Sequence, residues 1–211
     1  MDRSRLEAVC RELPIFPLPR LVLMPGELLP LHVFEPRYRA LVKYCQEGDG
    51  LMGIATICPG QPAEARSPAV FSEIGIGEMV ACQPYPDGRS TIVLQYVGRC
   101  RMETELESSH AFRLVQGVTS VADSTGSSRA IVRLKTLVLQ LGSLSADATE
   151  EARRLVELDG SDMLDSLARK LLREPDERRK YLSAAQLGLR VQMVEDKLAE
   201  FLQVASPTAR A

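Results

Sequence analysis

The sequence predicts an α+β protein, in which a β-rich front half forming a small barrel is followed by a bundle of helices. Eleven of the thirteen prolines fall at or before Pro86, and ten of the fourteen glycines fall at or before Gly117. Because both residue types interrupt helices, this distribution favours short strands and turns in front and helices behind. We therefore predict one domain over residues 1–122 and a second over 123–211, joined by the turn-forming stretch Asp123–Ser128.

The front half contains short apolar segments separated by turn residues, which is the pattern of strands. Extended segments are predicted at 13–23, 28–33, 51–57, 70–76, 79–85, 91–97, 99–106 and 112–121. Pro86, Asp87 and Gly88 predict a hairpin turn, and residues 61–68 predict an exposed loop. Between the second and third segments a helix is expected to begin at Pro36, end near Gly48 and lie against the sheet. Its apolar face is formed by Tyr38, Leu41, Val42 and Cys45.

The back half is predicted to contain four or five helices. Apolar residues recur with helical spacing over 131–141 and again over 163–172, so both stripes should be buried. Further helices are predicted over about 150–158, 175–185 and 191–202. Ser161 is a candidate N-cap for the second stripe.

Composition and charge narrow the class of protein. The 26 basic and 28 acidic side chains leave a net charge of −2, so no general positive field would hold a phosphate backbone. Five cysteines with no CxxC pair indicate neither a disulfide framework nor a thiolate metal site. No apolar run approaches the roughly 20 residues that span a bilayer, and the N-terminus lacks the pattern of a secretory signal. These features predict a cytoplasmic protein with no membrane partner.

One stretch carries a family resemblance. Residues 13–45 read LPIFPLPRLVLMPGELLPLHVFEPRYRALVKYC, and Gly48, the segment 52–54 and the segment 97–101 follow in order. This arrangement resembles the N-terminal domain of Lon proteases, also called the LON substrate-binding domain, over roughly the first 120 residues. The resemblance implies a PUA-like β pseudobarrel followed by a helical bundle.

The signature residues of this stretch have structural interpretations. They are Phe16, Leu18, Pro25, Gly26, Leu31 and Phe34. Phe16, Leu18, Leu31 and Phe34 are expected, together with Leu23, to anchor the core, where one such side chain contributes roughly 1.5 to 3 kcal/mol. Pro25 and Gly26 predict a turn.

The sequence lacks the motifs that nucleotide binding and proteolysis require. The sequence contains no GxxxxGK followed by Ser or Thr, no strand-linked GxGxxG and no region matching a serine-lysine protease, so we predict a non-enzymatic protein without a cofactor. His32 and His110 do not define a metal site, and the cysteines are interpreted as small apolar residues. Glu103, Glu105 and Glu107 could share one strand face, and a hydrolase that uses them is the least favoured alternative.

The resemblance implies substrate recognition. We therefore predict a module that binds unfolded or hydrophobic polypeptide segments, or a protein partner, and presents clients to a protease or chaperone. A cleft between barrel and bundle and an irregular, proline-bearing strand edge are the expected contact regions. The candidate binding residues are Pro30, His32, Glu35, Arg37, Tyr38 and Arg99.

A nucleic-acid-binding regulator with a PUA-like domain is the alternative. The basic run 178–180 supports it, but residues 123–211 contain fourteen basic and fourteen acidic side chains, which offset that cluster overall.

Overall fold

The computed structural model describes residues 3–61, 67–119, 128–143 and 146–205. The chain divides into two compact units, Met1–Val121 and Ala122–Ala211. The first contains α1 (Arg3–Val9), β1 (Leu13–Pro19), β2 (Leu28–Val33), α2 (Pro36–Glu47), β3 (Leu51–Ile57), β4 (Val70–Pro84), β5 (Ser90–Leu106) and β6 (Arg113–Thr119). The second contains α3 (Ser128–Gly142), α4 (Ala146–Glu157), α5 (Gly160–Leu171), α6 (Pro175–Ser183) and α7 (Leu187–Ala205).

The six described strands form one mixed sheet in the order β2-β5-β4-β3-β1-β6. The β1–β3 pair is parallel, and every other pair is antiparallel. Because β5 also pairs with β6, hydrogen-bonded pairings lead from β5 through β4, β3, β1 and β6 back to β5. Strand β2 lies outside this cycle and pairs with β5 along its length, which confirms the predicted edge position of Pro30.

Strands β4 and β5 are longer than predicted. The sequence suggested four short strands, but each pair of segments is one continuous strand of 15 or 17 residues. The β4–β5 register shifts between Ile76 and Gly77 and again between Met79 and Ala81. Such bulges bend a strand without ending it, so a glycine that suggested a break marks a bend instead.

The predicted hairpin turn after β4 is confirmed. Gly88 has a φ of 81°, and the Tyr85 N–H donates to the carbonyl oxygen of Arg89 over 2.8 Å. The turn at Pro25 and Gly26 is confirmed as well, since Gly26 has a φ of 70° and the Glu27 N–H bonds the Met24 carbonyl.

Helix α2 packs against the sheet as predicted. Its buried residues are Tyr38, Leu41, Val42 and Cys45, and they share a core cluster with Phe16, Met52 and Ile54. The Gly48 N–H bonds the carbonyls of Tyr44 and Cys45 at the C-terminus, so the helix ends where the sequence indicated.

Phe34 corrects the predicted core. It is 59% exposed, whereas Phe16 is buried and Leu18 and Leu31 are half-buried against the same core cluster. Along β2 the odd-numbered side chains point inward and end at the buried Val33, so the next residue points outward. The prediction of Phe34 as a core anchor was therefore wrong.

Two further expectations change at the N-terminal end. The extended segment predicted over 13–23 ends at Pro19, because Arg20 adopts a φ of 55°. Helix α1 was not predicted. Its Leu6 packs over Gly98 of β5, and its Arg5 donates to the Asp49 carbonyl over 2.7 Å.

The described residues of the back unit form five helices, which agrees with the prediction of four or five. The stripes bury Leu134 and Val138 of α3 and four residues of α5. The predicted cap is corrected: Asp159 is the N-cap residue of α5, and Ser161 lies inside the helix. The predicted joint at 123–128 falls almost entirely in residues 120–127, and most of the predicted loop falls in 62–66, both outside the described residues.

Candidate functional site

The outward side of β2 forms an exposed, largely apolar surface. We call Leu28, Pro30, His32 and Phe34, together with Tyr85 of the hairpin, the β2 face. Leu28 is 61% exposed and Phe34 is 59% exposed. Exposed apolar side chains along one side of an edge strand indicate a surface suited to contact with another molecule.

Aromatic contacts order this face. The His32 ring lies 6.3 Å from the Phe34 ring and 5.9 Å from the Tyr85 ring, measured between centroids. Thr91 Oγ1 lies 3.4 Å from His32 Nδ1 and 3.1 Å from the Tyr85 hydroxyl. These contacts hold the rings in place at the surface, which lowers the entropy lost when a ligand packs against them.

The edge position gives the β2 face a second property. Pro30 lies opposite Val93 in the β2–β5 register, and proline has no N–H to donate. Strand β2 pairs with β5 alone among the described strands, so its other edge is free of strand pairing there. An extended peptide can add to such an edge by backbone hydrogen bonding.

Glu35 and Arg37 form an ion pair at the end of the β2 face, and Arg37 also stacks on Tyr38. The distance from Arg37 Nε to Glu35 Oε2 is 2.9 Å, and the guanidinium lies 4.5 Å from the centre of the Tyr38 ring. Glu35 is the N-cap residue of α2, but its side chain makes no capping hydrogen bond.

Tyr38 and Arg99 are placed differently from the other candidates. Tyr38 is 5% exposed, stacks on Phe16 at 3.9 Å and donates its hydroxyl to the Pro17 carbonyl over 3.2 Å. Burial raises the pKa of its hydroxyl. Arg99 is 7% exposed. Buried side chains do not contact a ligand at the surface, so the structure removes both from the set of surface contacts.

Leu28 and Tyr85 belong to the β2 face and were not among the predicted binding residues. The sequence signal that could have identified Leu28 is the alternation along β2, which places residues 28, 30, 32 and 34 on one side. Tyr85 reaches His32 only because β4 and β2 both pair with β5. The residues around Tyr85 contain no pattern that predicts these strand pairings.

The cysteines and the glutamates near the end of β5 are the remaining candidates for chemistry. All five cysteines are free. Burial raises the pKa of Cys45 to about 12, and the hydrogen bond with Cys10, with burial second, raises the pKa of Cys100 still further. Glu103, Glu105 and Glu107 are exposed, and Glu105 pairs with Arg113. No three His, Cys, Asp or Glu side chains converge in these ranges as metal ligands would.

The basic run in the back unit has structural roles. Arg178 Nε donates to the Leu172 carbonyl at the end of α5 over 3.0 Å, and Arg179 lies 3.8 Å from Asp176. A cation placed at the last carbonyls of a helix stabilises that end.

None of the helices in the described ranges is both long enough and apolar enough to cross a bilayer.

Comparison with known proteins agrees with this architecture. The family described as ATP-dependent protease La (LON) substrate-binding domain matches residues 12–200, which extends across both units. The chain belongs to this family. Membership identifies it with the substrate-binding part of Lon proteases and not with their catalytic part.

Two solved structures show the same fold. The N-terminal domain of the Lon protease of Mycobacterium avium complex has a TM-score of 0.69 and 16% identity, with 89% of this chain and 98% of that one covered. A Lon N-terminal domain protein from Xanthomonas campestris has a TM-score of 0.64 and 23% identity, with 89% and 97% covered.

One relative found by sequence matches a smaller part of this chain than the two solved structures do. The Lon protease of Cytophaga hutchinsonii is 28% identical over 107 residues, which is 51% of this chain. The matched region spans only 13% of that relative's length.

Proposed function

We propose that this chain is a non-enzymatic module that binds polypeptide segments through the β2 face and presents them to a protease or chaperone. The observation that carries the proposal is the exposed pair Leu28 and Phe34 beside an edge strand, in a chain of a substrate-binding family. Unfolded or hydrophobic segments are the proposed ligands, since they offer both apolar side chains and unpaired backbone groups.

The size of the β2 face suits weak and reversible binding. Fully burying a leucine or phenylalanine side chain contributes roughly 1.5 to 3 kcal/mol, and each of these residues already has about two fifths of its surface covered. Part of that gain is offset by the freedom that a bound segment loses. Weak binding of many different segments is what client presentation requires.

Four of the predicted binding residues keep a role in this proposal. Pro30 and His32 lie on the β2 face, and the Glu35–Arg37 ion pair would border a bound segment at its end. The expectation of a contact region between barrel and bundle stays a prediction, as does the assignment of residues 1–122 and 123–211 to separate domains.

The proposed scaffold is a PUA-like pseudobarrel, which the closed series of strand pairings from β5 back to β5 supports. A reducing compartment such as the cytoplasm is the proposed location, supported by the five free thiols. The nucleic-acid alternative finds no support in the family match, and Arg178 and Arg179 are engaged within the helical unit.

Peptide titration tests the proposal. A fluorescent, unstructured apolar peptide should bind the full chain, and the double variant L28S/F34S should weaken that binding about tenfold, because the contact loses two apolar side chains. The matched control V132S/L189S removes exposed apolar side chains of 61% and 51% exposure from the helical unit, and should leave affinity within about twofold. Equal affinity of L28S/F34S and the unmodified chain, with both folded, would overturn the proposal.

A further inference from the structure

A second surface of the front unit is an open groove between α2 and the β4–β5 hairpin. Its volume is about 620 Å³. Helix α2 supplies one wall, and the end of β4 with the turn after it supplies the other. We call it the hairpin groove; its lining includes Arg39, Ala40, Lys43, Pro84, Gly88 and Arg89.

The charged side chains in the lining of the hairpin groove are all basic. They are Arg39, Lys43 and Arg89, and no carboxylate lies among the lining residues. Arg39 and Lys43 are one helical turn apart on α2, so they lie on the same side of the helix. The lining therefore contributes only positive charge, although the whole chain carries a net charge of −2 and the carboxylates of Asp87 and Glu47 lie close to two of the cations.

Two of these cations already have partners. Arg89 Nε lies 2.6 Å from Asp87 Oδ2, and the backbone N–H of Arg89 together with this side-chain pairing lowers the pKa of Asp87. Lys43 lies 3.8 Å from Glu47, with its side chain 76% exposed, so that pair is loose. Surface pairs of this kind contribute little and exchange readily with other carboxylates.

Among these three cations, Arg39 has no carboxylate partner in the described part of the chain. Its guanidinium lies against the turn, since a Cβ added to Gly88 would come 2.7 Å from Arg39 Cζ. Gly88 has a φ of 81° and no side chain, which leaves the space that the guanidinium occupies. Arg39 is thus an exposed cation that reaches across the groove to the turn.

The uncharged part of the lining is partly apolar. Ala40, Val42, Cys82 and Pro84 supply apolar atoms beside the basic side chains. A groove lined by apolar and cationic groups matches a chain that carries both apolar and acidic side chains. A small anion would need donors that converge on one point, whereas here they are spread over two walls.

We propose that the hairpin groove binds an acidic polypeptide segment, with Arg39 and Lys43 as the main contacts for its carboxylates. This inference rests on the proposed function in one respect, that the ligand is a polypeptide. It adds a chemical preference: segments in which acidic residues neighbour apolar ones.

The geometry favours a polypeptide over a nucleic acid. Only three cations line the groove, and no aromatic side chain is present in the lining for bases to stack on. The hairpin also connects the two surfaces, because Tyr85 contributes to the β2 face while Gly88 and Arg89 line the groove. One segment can therefore reach both from either side of the turn.

Three labelled peptides of one apolar framework test the inference on the full chain: one with four glutamates, one with glutamines and one with lysines at the same positions. The glutamate peptide should bind about tenfold more tightly than the glutamine peptide, and the lysine peptide more weakly than either, because opposite charges attract across the groove. Raising the salt concentration should reduce this difference.

Charge reversal in the groove provides the mutational test. The variant R39E/K43E should lose the preference for glutamate, whereas R129E/R153E makes the same change in net charge on exposed residues of the helical unit and should keep it. Thermal unfolding of both variants identifies any loss of folding, and R39Q serves as a milder substitution with the same expected direction.

Two results would overturn the inference. One is an equal affinity for the glutamate and glutamine peptides. The other is a single-stranded oligonucleotide that displaces the glutamate peptide and binds with a steep salt dependence, which would assign the groove to phosphate. Loss of apolar-peptide binding in L28S/F34S with the glutamate preference intact supports both sites. If the glutamate preference is observed and L28S/F34S has no effect on binding of the apolar peptide, only the proposal for the β2 face is refuted.

Discussion

The hydroxyl of Tyr181 donates a 2.6 Å hydrogen bond to Oδ1 of Asp165, which links α6 to α5 inside the helical unit. Tyr181 is completely buried, and burial raises the pKa of its hydroxyl above the ordinary value. Arg190 of α7 approaches the same carboxylate oxygen at 3.7 Å and the Tyr181 ring at 5.8 Å. Three helices therefore meet at one buried polar cluster.

Removing that hydroxyl should destabilise the helical unit. Tyr181→Phe leaves the packing of the ring but takes a hydrogen bond from a partly buried carboxylate, so we expect a loss of about 1 to 3 kcal/mol in the free energy of unfolding. Urea denaturation measures it. Tyr85→Phe is the matched control, because its hydroxyl is at the surface, and it should change stability by less than about 0.5 kcal/mol. Equal effects of the two variants would contradict the role of the cluster.

Two phenylalanines of the family signature should respond in opposite ways to truncation. Phe16→Ala removes a buried ring that stacks on Tyr38 and should cost about 3 to 5 kcal/mol. Phe34→Ala removes an exposed ring and should stay within about 0.5 kcal/mol. Chemical denaturation followed by far-UV circular dichroism compares them. A large loss in Phe34→Ala would show that the ring supports the fold and not a contact surface.

Alanine in place of two glycines provides a test of local packing. A Cβ at Gly117 in β6 would overlap the Arg101 carbonyl oxygen and lie 2.6 Å from Cys100 Sγ, so Gly117→Ala should cost about 1 to 3 kcal/mol. At Gly188 in α7 a Cβ meets nothing within 4 Å, so Gly188→Ala should stabilise the helix by about 0.5 to 1 kcal/mol. Melting temperatures should therefore move in opposite directions, and a shift of the same sign would refute this assignment.

Stability should fall in alkaline solution partly through Cys45. Burial raises the pKa of this thiol from 9.0 to about 12, so above pH 9 the unfolded chain loses a proton that the folded chain retains. The contribution is fully present below pH 9 and is lost as the pH rises from 9 toward 12, at about 1.4 kcal/mol per pH unit for one such group.

Cys45→Ala removes the titrating group and should flatten this dependence. The measurement is the free energy of unfolding at several pH values between 8 and 11, with reductant present, and Cys58→Ala is the control, because that thiol is only partly buried. Parallel curves for Cys45→Ala and the unmodified chain would contradict the prediction.

Local signals made several elements predictable. Pro36, the apolar face of α2 and Gly48 lie within one short stretch and define the helix without help from the rest of the chain. Pro86 to Gly88 likewise define a turn from their own backbone preferences. Helix α1 was not predictable in this way, because its seven residues are held by Leu6 on Gly98 and Arg5 on Asp49, partners far along the chain.

The residues of the candidate site likewise include some that the sequence could predict and some that it could not. Pro30 and His32 could be named from the sequence because they sit on a proline-bearing segment, and the alternation along β2 then explains their exposure. Phe34 was assigned to the core because an aromatic residue in an apolar run resembles a core anchor. Its actual exposure follows from where β2 ends and which side faces α2, and neither is a property of the residue itself.

By itself the sequence determined the change from strands to helices along the chain, the position of α2, the family and the absence of a nucleotide-binding motif, since each depends on residues close together in the chain. Only the tertiary structure decided that β4 and β5 continue through bulges, that Tyr85 joins the β2 face and that Arg39 lies against Gly88. These depend on pairings between residues tens of positions apart. Such pairings are selected by the packing free energy of the whole core, which no short stretch of sequence contains.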